Sequence, residues 1–559
     1  MADKSRLAAL VLQEVWRRAR RSLPLRSLGR TGFARGGTDR LLAMPADLRF
    51  GDAAEAESIY GGRFTFAGHS VAVADQSPFQ VIPPCRDWAK ELHGFAWLRH
   101  LADARDDLAS ANARWLVGEW LRLASRLPGI AFEPEVVAQR IVAWLRHAPL
   151  VLAEADPQFR RQFIRSLARQ VRALRSRLTA TPDGAPRLSV LMALATASLC
   201  LPTSAFHIRT TATALGNELD RQVHPDGGHL SRNPEAIADL LAELLPLRQL
   251  YVSQSHPVPK GLLGAIDRML PALRFFRHGD GEQALFNGAG PGSADLIATL
   301  SRYDESLGEP ISHARQSGYL RLSAEGTVLL ADVGTPPPTP LAMDAHAGTL
   351  SFELSSRAGR LVVNCGRPDR SRPEWQQFGR ASAAHSTLVI DDRSSARFAT
   401  SEALERFVGS PLYAGPRTVS VQREEVRGGQ GFSAAHDGYR EAFGLVHRRS
   451  VFLTQGGRAV HGLDRLLPGG ARPSHTIERL PAAVRFHLHP RVGVQRTGDG
   501  LRLSLPGEIW RFMADVDFDI EDSVFFADPS GARRTLQIVL AFDALITPNV
   551  AWQFVRCDS

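Results

Sequence analysis

From Asp87 onward apolar residues recur every three to four positions. Trp88, Leu92, Phe95, Trp97, Leu98 and Leu101 open the pattern, followed by Trp115, Leu116, Trp120 and Leu123, and then by Val137, Ile141, Trp144 and Leu145. Phe163, Leu167, Val171 and Leu174 form a further stripe, and the opposite face carries Arg161, Arg165, Arg169 and Arg172. This period predicts amphipathic helices. Pro149, Pro157, Pro182 and Pro202 punctuate them at intervals that suit helical hairpins, and leucine-rich helices continue over 238–251 and 259–276. Upstream, Gly61, Gly62, Pro78, Pro83 and Pro84 break the period and predict an extended arm or small hairpin. After Gly318 the period falls to two, with strands predicted at 319–323, 327–332, 350–354, 361–365, 387–390, 484–489, 501–505 and 536–541.

Helices followed by strands, without alternation, predict an α+β multidomain chain. The division is placed between about 300 and 318: an N-terminal arm with first helices over 1–85, a helical domain over 86–310, and a β-sandwich over 311–559. The helical part fits an incomplete α/α toroid, a solenoid or an irregular bundle equally well on periodicity alone. No low-complexity linker separates the halves, so a tight contact with a ligand cleft along it is expected.

Composition narrows the partners. The 559 residues carry 67 Lys+Arg against 58 Asp+Glu, a formal charge of +9, and lysine occurs only at Lys4, Lys90 and Lys260. Arginine suits bidentate contact with carboxylate, sulfate or phosphate, although a general bias toward arginine explains the same count. No zinc-finger spacing or RNP-like motif is present, so nucleic acid is not an expected partner. Cys85, Cys200, Cys365 and Cys557 form no CxxC pair, which argues against a disulfide framework or thiolate metal site. No apolar run reaches the roughly 20 residues of a membrane span, and no secretory signal pattern opens the chain, which favours a cytoplasmic location.

Two constellations carry candidate chemistry. Residues 216–234 concentrate polar groups around Asp226-Gly227-Gly228-His229, where His229 suits proton exchange and Arg232 and Asn233 suit a carboxylate. A helix cap by Ser231 or Asn233 ahead of Pro234 accounts for one of these residues but not the rest. Farther on, His346, Asn364 and His385 offer two imidazoles and an oxygen, a possible Zn²⁺ set, with a hydrogen-bonded histidine pair as the competing reading. Tyr319, Trp375 and Arg380 are candidates to line the cleft. GxSxG, P-loop, Rossmann and HExxH patterns are absent.

The wording of Glu91–Arg99, Asp226–Pro234, Phe286–Gly288, His346–Leu354, Asn364–Gly366, His385–Ile390 and Val484–Pro490 resembles the heparinase II/III family of polysaccharide lyases over nearly the whole chain. The resemblance implies an α/α toroid packed on an antiparallel β-sandwich, and cleavage of uronate-containing polysaccharides by β-elimination. For that reaction His229 and Asn233 are the candidate catalytic residues, and Asp226, Arg232, Tyr319, Trp375 and Arg380 the candidates to bind substrate; His346 and His385 match positions that hold a metal in some members, with Asn364 as the third candidate ligand. Several positions depart from the family pattern: 201–207 lacks its Asn-His pair, Ala236 stands near its tyrosine, Asp344 near a histidine, and Asn364 replaces an acidic ligand. Two expectations therefore stand side by side, a lyase acting on an acidic polysaccharide and a non-catalytic acidic-glycan-binding protein on the same scaffold.

Overall fold

The structure, a computed structural model, describes residues 7–16, 40–73, 76–104, 106–305, 308–370, 372–399, 401–470, 478–498 and 500–557. It divides into two compact units: Val15–Val223 with Asp239–Asp267, and Met1–Glu14 with His224–Ala238 and Arg268–Ser559.

The first unit is helical. Arg86–Gly94, Leu98–Ala104, Asp107–Leu123, Pro134–Arg146, Pro157–Arg177, Ala185–Cys200 and Ala205–Gln222 follow one another in the order the apolar period predicts. Their starts are chemically marked. Asp106, Asp156 and Ser204 accept hydrogen bonds from the first-turn N–H groups, and Pro134 and Pro157 sit where a missing N–H is harmless. The apolar stripes meet in an aromatic core in which Trp144 packs edge-on against Phe95 and Trp120, each at 5.4 Å, and stacks on Phe163 at 5.1 Å. Burying each such ring contributes about 1.5–3 kcal/mol. Ala185–Cys200 is apolar on nearly every face because Pro134–Arg146 and Ala205–Gln222 both pack against it. Upstream, the helix Ala53–Tyr60 precedes a hairpin of Arg63–Phe66 and His69–Ala72 that turns at Ala67-Gly68.

The second unit is an antiparallel sandwich. One sheet runs, in spatial order, Val419–Val426, Gly429–His436, Leu445–Thr454, Ala459–Pro468, Asn549–Arg556, Glu508–Ala514, Gly500–Leu505, Gly493–Thr497. The other runs Asp519–Phe525, Arg533–Asp543, Pro481–Leu488, Gly359–Val363, Phe352–Ser356, Thr327–Asp332, Tyr319–Ala324, His313–Ala314, with Leu388–Ile390 beside Pro481–Leu488. Side chains from both sheets fill the space between them; Phe352 of one stacks on Trp552 of the other at 5.3 Å. Every strand expected from alternation is present, with ends shifted by a few residues.

Of the four strands between 419 and 468 that the sequence reading did not name, two were hidden for a physical reason. Leu445–Thr454 and Ala459–Pro468 point polar groups inward: the fully buried Asp464 accepts from His447 at 2.6 Å, Arg449 at 2.8 Å and the Trp552 indole at 2.8 Å. A charge at an inward position hides the alternation, and complete pairing is what makes its burial tolerable.

Candidate functional site

The Asp226–Asn233 turn belongs to the same unit as the sandwich. Asp226 organises it: one carboxylate oxygen accepts from the N–H groups of Gln316 and Ser317, both at 2.8 Å, and the other from the Ser317 hydroxyl at 2.5 Å. Gly227 has φ +83°, and a Cβ there would overlap the Arg268 carbonyl; one at Gly228 would overlap the Ser317 hydroxyl. The glycines thus serve close approach, to backbone at Gly227 and to the Ser317 side chain at Gly228. His229 is 2% exposed, and its Nδ1 accepts from the Ser231 N–H at 3.2 Å, which puts the ring proton on Nε2. Asn233 accepts the Glu235 N–H at 2.9 Å and so caps the helix Glu235–Ser253.

Arg232 is anchored from all sides. Its guanidinium donates to the carbonyls of Ser317, Thr335 and Gly318 at 2.8, 2.9 and 3.0 Å and to Asp332 at 2.6 Å, while lying 4.8 Å over the Tyr319 ring. Burial works against the charge, and Asp332 outweighs it, so the group stays protonated above the ordinary arginine range. Tyr319 is buried, and its hydroxyl donates to the Arg232 carbonyl. Asn287 extends the network by donating to Tyr319 at 2.8 Å and Asp332 at 3.0 Å and accepting the His346 N–H at 3.3 Å. One buried polar relay therefore joins the turn to the histidine pair.

In that pair His346 Nδ1 and His385 Nε2 stand 3.0 Å apart. His385 Nδ1 lies 2.7 Å from the Ala381 carbonyl, which only accepts, so Nδ1 carries the proton and Nε2 must accept from His346. Burial pushes both rings down, His385 to about 4 and His346 well below the ordinary histidine value, so both are neutral at pH 7. Asn364 accepts from the Ser386 N–H at 3.1 Å and donates to the Leu285 carbonyl at 3.2 Å. As a Zn²⁺ set these residues fit poorly: the amide oxygen is engaged and the imidazoles bond each other. Among the described residues, no group of three or more His, Cys, Asp or Glu side chains gathers to hold a metal ion.

Trp375 and Arg380 sit on the helix Pro373–Arg380. Trp375 is half-buried against Phe526 at 5.6 Å, with Arg372 4.3 Å over its ring. Arg380 donates to the carbonyls of Ala345, Ser410 and Ala342 at 2.9, 2.6 and 3.2 Å, and burial pushes it down to about 10.

The open surface lies next to the Arg232 anchor. A groove of about 1170 Å³ is lined by His224, His313, Arg315, Arg417 and Arg423, with Tyr413 and the run Pro336-Pro337-Pro338 on its walls. Arg315 is exposed; Arg423 reaches the Ser312 hydroxyl, and Arg417 pairs with Glu441 at 3.0 Å. His313 is pushed down from the ordinary histidine value by burial and then by Arg315 and Arg423, with Asp226 opposing. Burial is the larger cause, and the two arginines add to it. Sequence reasoning passed over these residues, and the available signal was limited to two separate pairs, His313 with Arg315 and Arg417 with Arg423 around the strand-forming Val419 and Val421, which only the fold brings together.

Helical hairpins in one unit, and an antiparallel sandwich bearing a cationic groove in the other, define a protein of the polysaccharide-lyase-like class. The comparisons agree: residues 307–553 match the family described as heparinase II/III-like, C-terminal. FtsZ-localized protein C of Caulobacter vibrioides (strain NA1000 / CB15N) is 33% identical over 528 residues, 93% of this chain and 90% of that protein. The chain belongs to the heparinase II/III family. Among solved structures, heparinase III superposes with a TM-score of 0.72 at 14% identity, covering 91% of this chain and 85% of that one. A mutant of the heparan sulfate lyase HepC from Pedobacter heparinus gives 0.61 at 15% identity, covering 100% and 89%. At such identity the likeness shows the fold: a helical toroid and an antiparallel β-sandwich.

Proposed function

We propose that this chain binds an acidic, uronate-containing polysaccharide in the groove of the sandwich unit and holds it without cleaving it. The observation that carries this reading is a contrast. The groove presents the exposed Arg315 and Arg417 and the half-buried Arg423, the last two each held by a surface glutamate, around a large open volume, whereas the residues that β-elimination would call on are committed to internal hydrogen bonds. β-Elimination needs a neutralised uronate carboxylate, a base at C5 and an acid at the leaving oxygen. Arg232 is bound to Asp332 and three carbonyls, Asn233 caps a helix, and His229 is sealed. Calorimetric titration with polygalacturonate oligosaccharides tests the reading. Binding that Arg315→Ala together with Arg423→Ala abolishes supports it, and wild-type indifference to every acidic oligosaccharide overturns it.

Family membership favours a second reading, lyase activity on the same polymer. It requires the Asp226–Asn233 turn to open in the presence of substrate, and it yields unsaturated uronate products that absorb in the ultraviolet. The likeness to a protein named as FtsZ-localized also supports a cellular address: we propose that this chain co-localises with FtsZ. A fluorescent fusion spread evenly through dividing cells, with FtsZ rings intact, overturns that part.

A further inference from the structure

The helix Pro157–Arg177 contains seven arginines and no acidic residue in 21 positions. Across the whole chain the two signs nearly balance, 67 against 58, so this helix departs sharply from its surroundings. Its inner face, Phe163, Ile164, Leu167, Val171 and Leu174, is buried. Arg161, Arg165, Arg169 and Arg172 are exposed and share one face at spacings of four, four and three. By the helix rise these guanidinium groups follow one another at about 6 Å or less, in a row about 16 Å long.

Two features mark the row. Among the described residues none of the four has an acidic partner, a state that single exposed arginines such as Arg209 and Arg315 share but that here holds for four on one face, whereas Arg122 pairs with Glu119 at 2.6 Å, Arg534 with Asp522 at 2.7 Å and Arg397 with Glu441 at 2.9 Å. Like charges at i, i+4 also weaken a helix, and Arg160 and Arg161 lie near the positive end of its dipole. The helix keeps an arrangement that costs it stability, which a polyanion would relieve.

We propose that Arg161, Arg165, Arg169 and Arg172 form a second binding track for a linear acidic polysaccharide, separate from the groove. The proposal rests on the glycan-binding reading for its choice of polymer. A straight row of planar, bidentate donors matches anionic groups that recur along a polymer chain. The other exposed positions of this helix are Pro157, Gln158, Arg160, Gln162 and Ser176, none of them a large apolar side chain to enter a bilayer or an aromatic on which a base would stack. A second track on the same chain raises the avidity for long polymers while leaving short oligosaccharides unaffected.

The test compares the full chain with a variant carrying Arg161→Gln, Arg165→Gln, Arg169→Gln and Arg172→Gln, against polygalacturonate of high molecular weight and against its tetrasaccharide. The expected result is an affinity for the long polymer about tenfold lower at low salt, a shallower salt dependence, and an unchanged tetrasaccharide affinity. Glutamine keeps helix propensity and removes repulsion, so the thermal midpoint of the variant is expected to equal or exceed that of the parent. Long-polymer affinity equal in both proteins overturns the second track while leaving the groove reading intact. Absence of tetrasaccharide binding to the parent counts against the groove alone. If phosphatidylglycerol vesicles or duplex DNA bind through the four arginines and polygalacturonate does not, the row serves another partner and the proposal is overturned.

Discussion

Arg232 has a backbone φ of +61°, a left-handed conformation that costs an L side chain about 1–2 kcal/mol. It persists because four side-chain hydrogen bonds and the Tyr319 ring fix the residue from both ends. Asp332→Asn removes the charge that compensates a fully buried guanidinium and is expected to cost about 3–5 kcal/mol in denaturant unfolding; a loss below about 1 kcal/mol would show that the anchor is incidental. His229→Ala is expected to leave polysaccharide affinity unchanged, since the ring does not line the groove. The histidines make a further prediction. Burial pushes His385 to about 4 and His487 to about 3, so both fold as neutral rings while the unfolded chain takes up protons near pH 6.5. Their contribution is complete above about pH 6.5 and is lost as pH falls toward the folded values, each by up to about 1.4 kcal/mol per pH unit. Thermal midpoints measured between pH 7.5 and 4 should fall below pH 6.5; a flat profile would contradict neutral burial. At this scale the sequence was half legible. The polar density of 216–234 is real, but an internal anchor and a catalytic site both require converging donors and acceptors, so composition does not separate them.

Individual elements were more legible, and their failures have causes. Helix starts at Asp156 and Ser204 follow from cap chemistry, and the strand Thr327–Asp332 lies where alternation puts it. The strands Leu445–Thr454 and Ala459–Pro468 were hidden because His447, Arg449 and Asp464 occupy inward positions that a period-two search expects to be apolar. Asn233 shows the ambiguity within one residue: its amide fits a carboxylate ligand or a helix cap, and only the fold supplies the Glu235 N–H. Asn233→Ala is expected to cost about 1 kcal/mol of stability through the lost cap, read as a lower midpoint in chemical denaturation with unchanged glycan binding. A drop in binding at constant stability would return Asn233 to the ligand.

For the molecule as a whole, what matters is where charge is spent. Buried arginines such as Arg232, Arg380 and Arg449 hold backbone carbonyls and carboxylates, while Arg315 and Arg423 of the groove and the row from Arg161 to Arg172 face outward or half-outward. The net charge of +9 is visible in the sequence, but this sorting of inward from outward arginines appears only with the fold. His224 and His313 of the groove are both held below the ordinary histidine value, so they take up protons as the pH drops. A bound polyanion favours their charged forms, and affinity is expected to rise from pH 7.5 to pH 5.5 while uronate carboxylates stay ionised. The most direct measurement combines binding and chemistry in one cell: polygalacturonate oligosaccharide titrated into the full chain while ultraviolet absorbance follows new double bonds. The account predicts saturable binding, lost with Arg315→Ala and Arg423→Ala, and no growth of absorbance over hours. Steady accumulation of unsaturated product by the parent chain, abolished by His229→Ala, would contradict it.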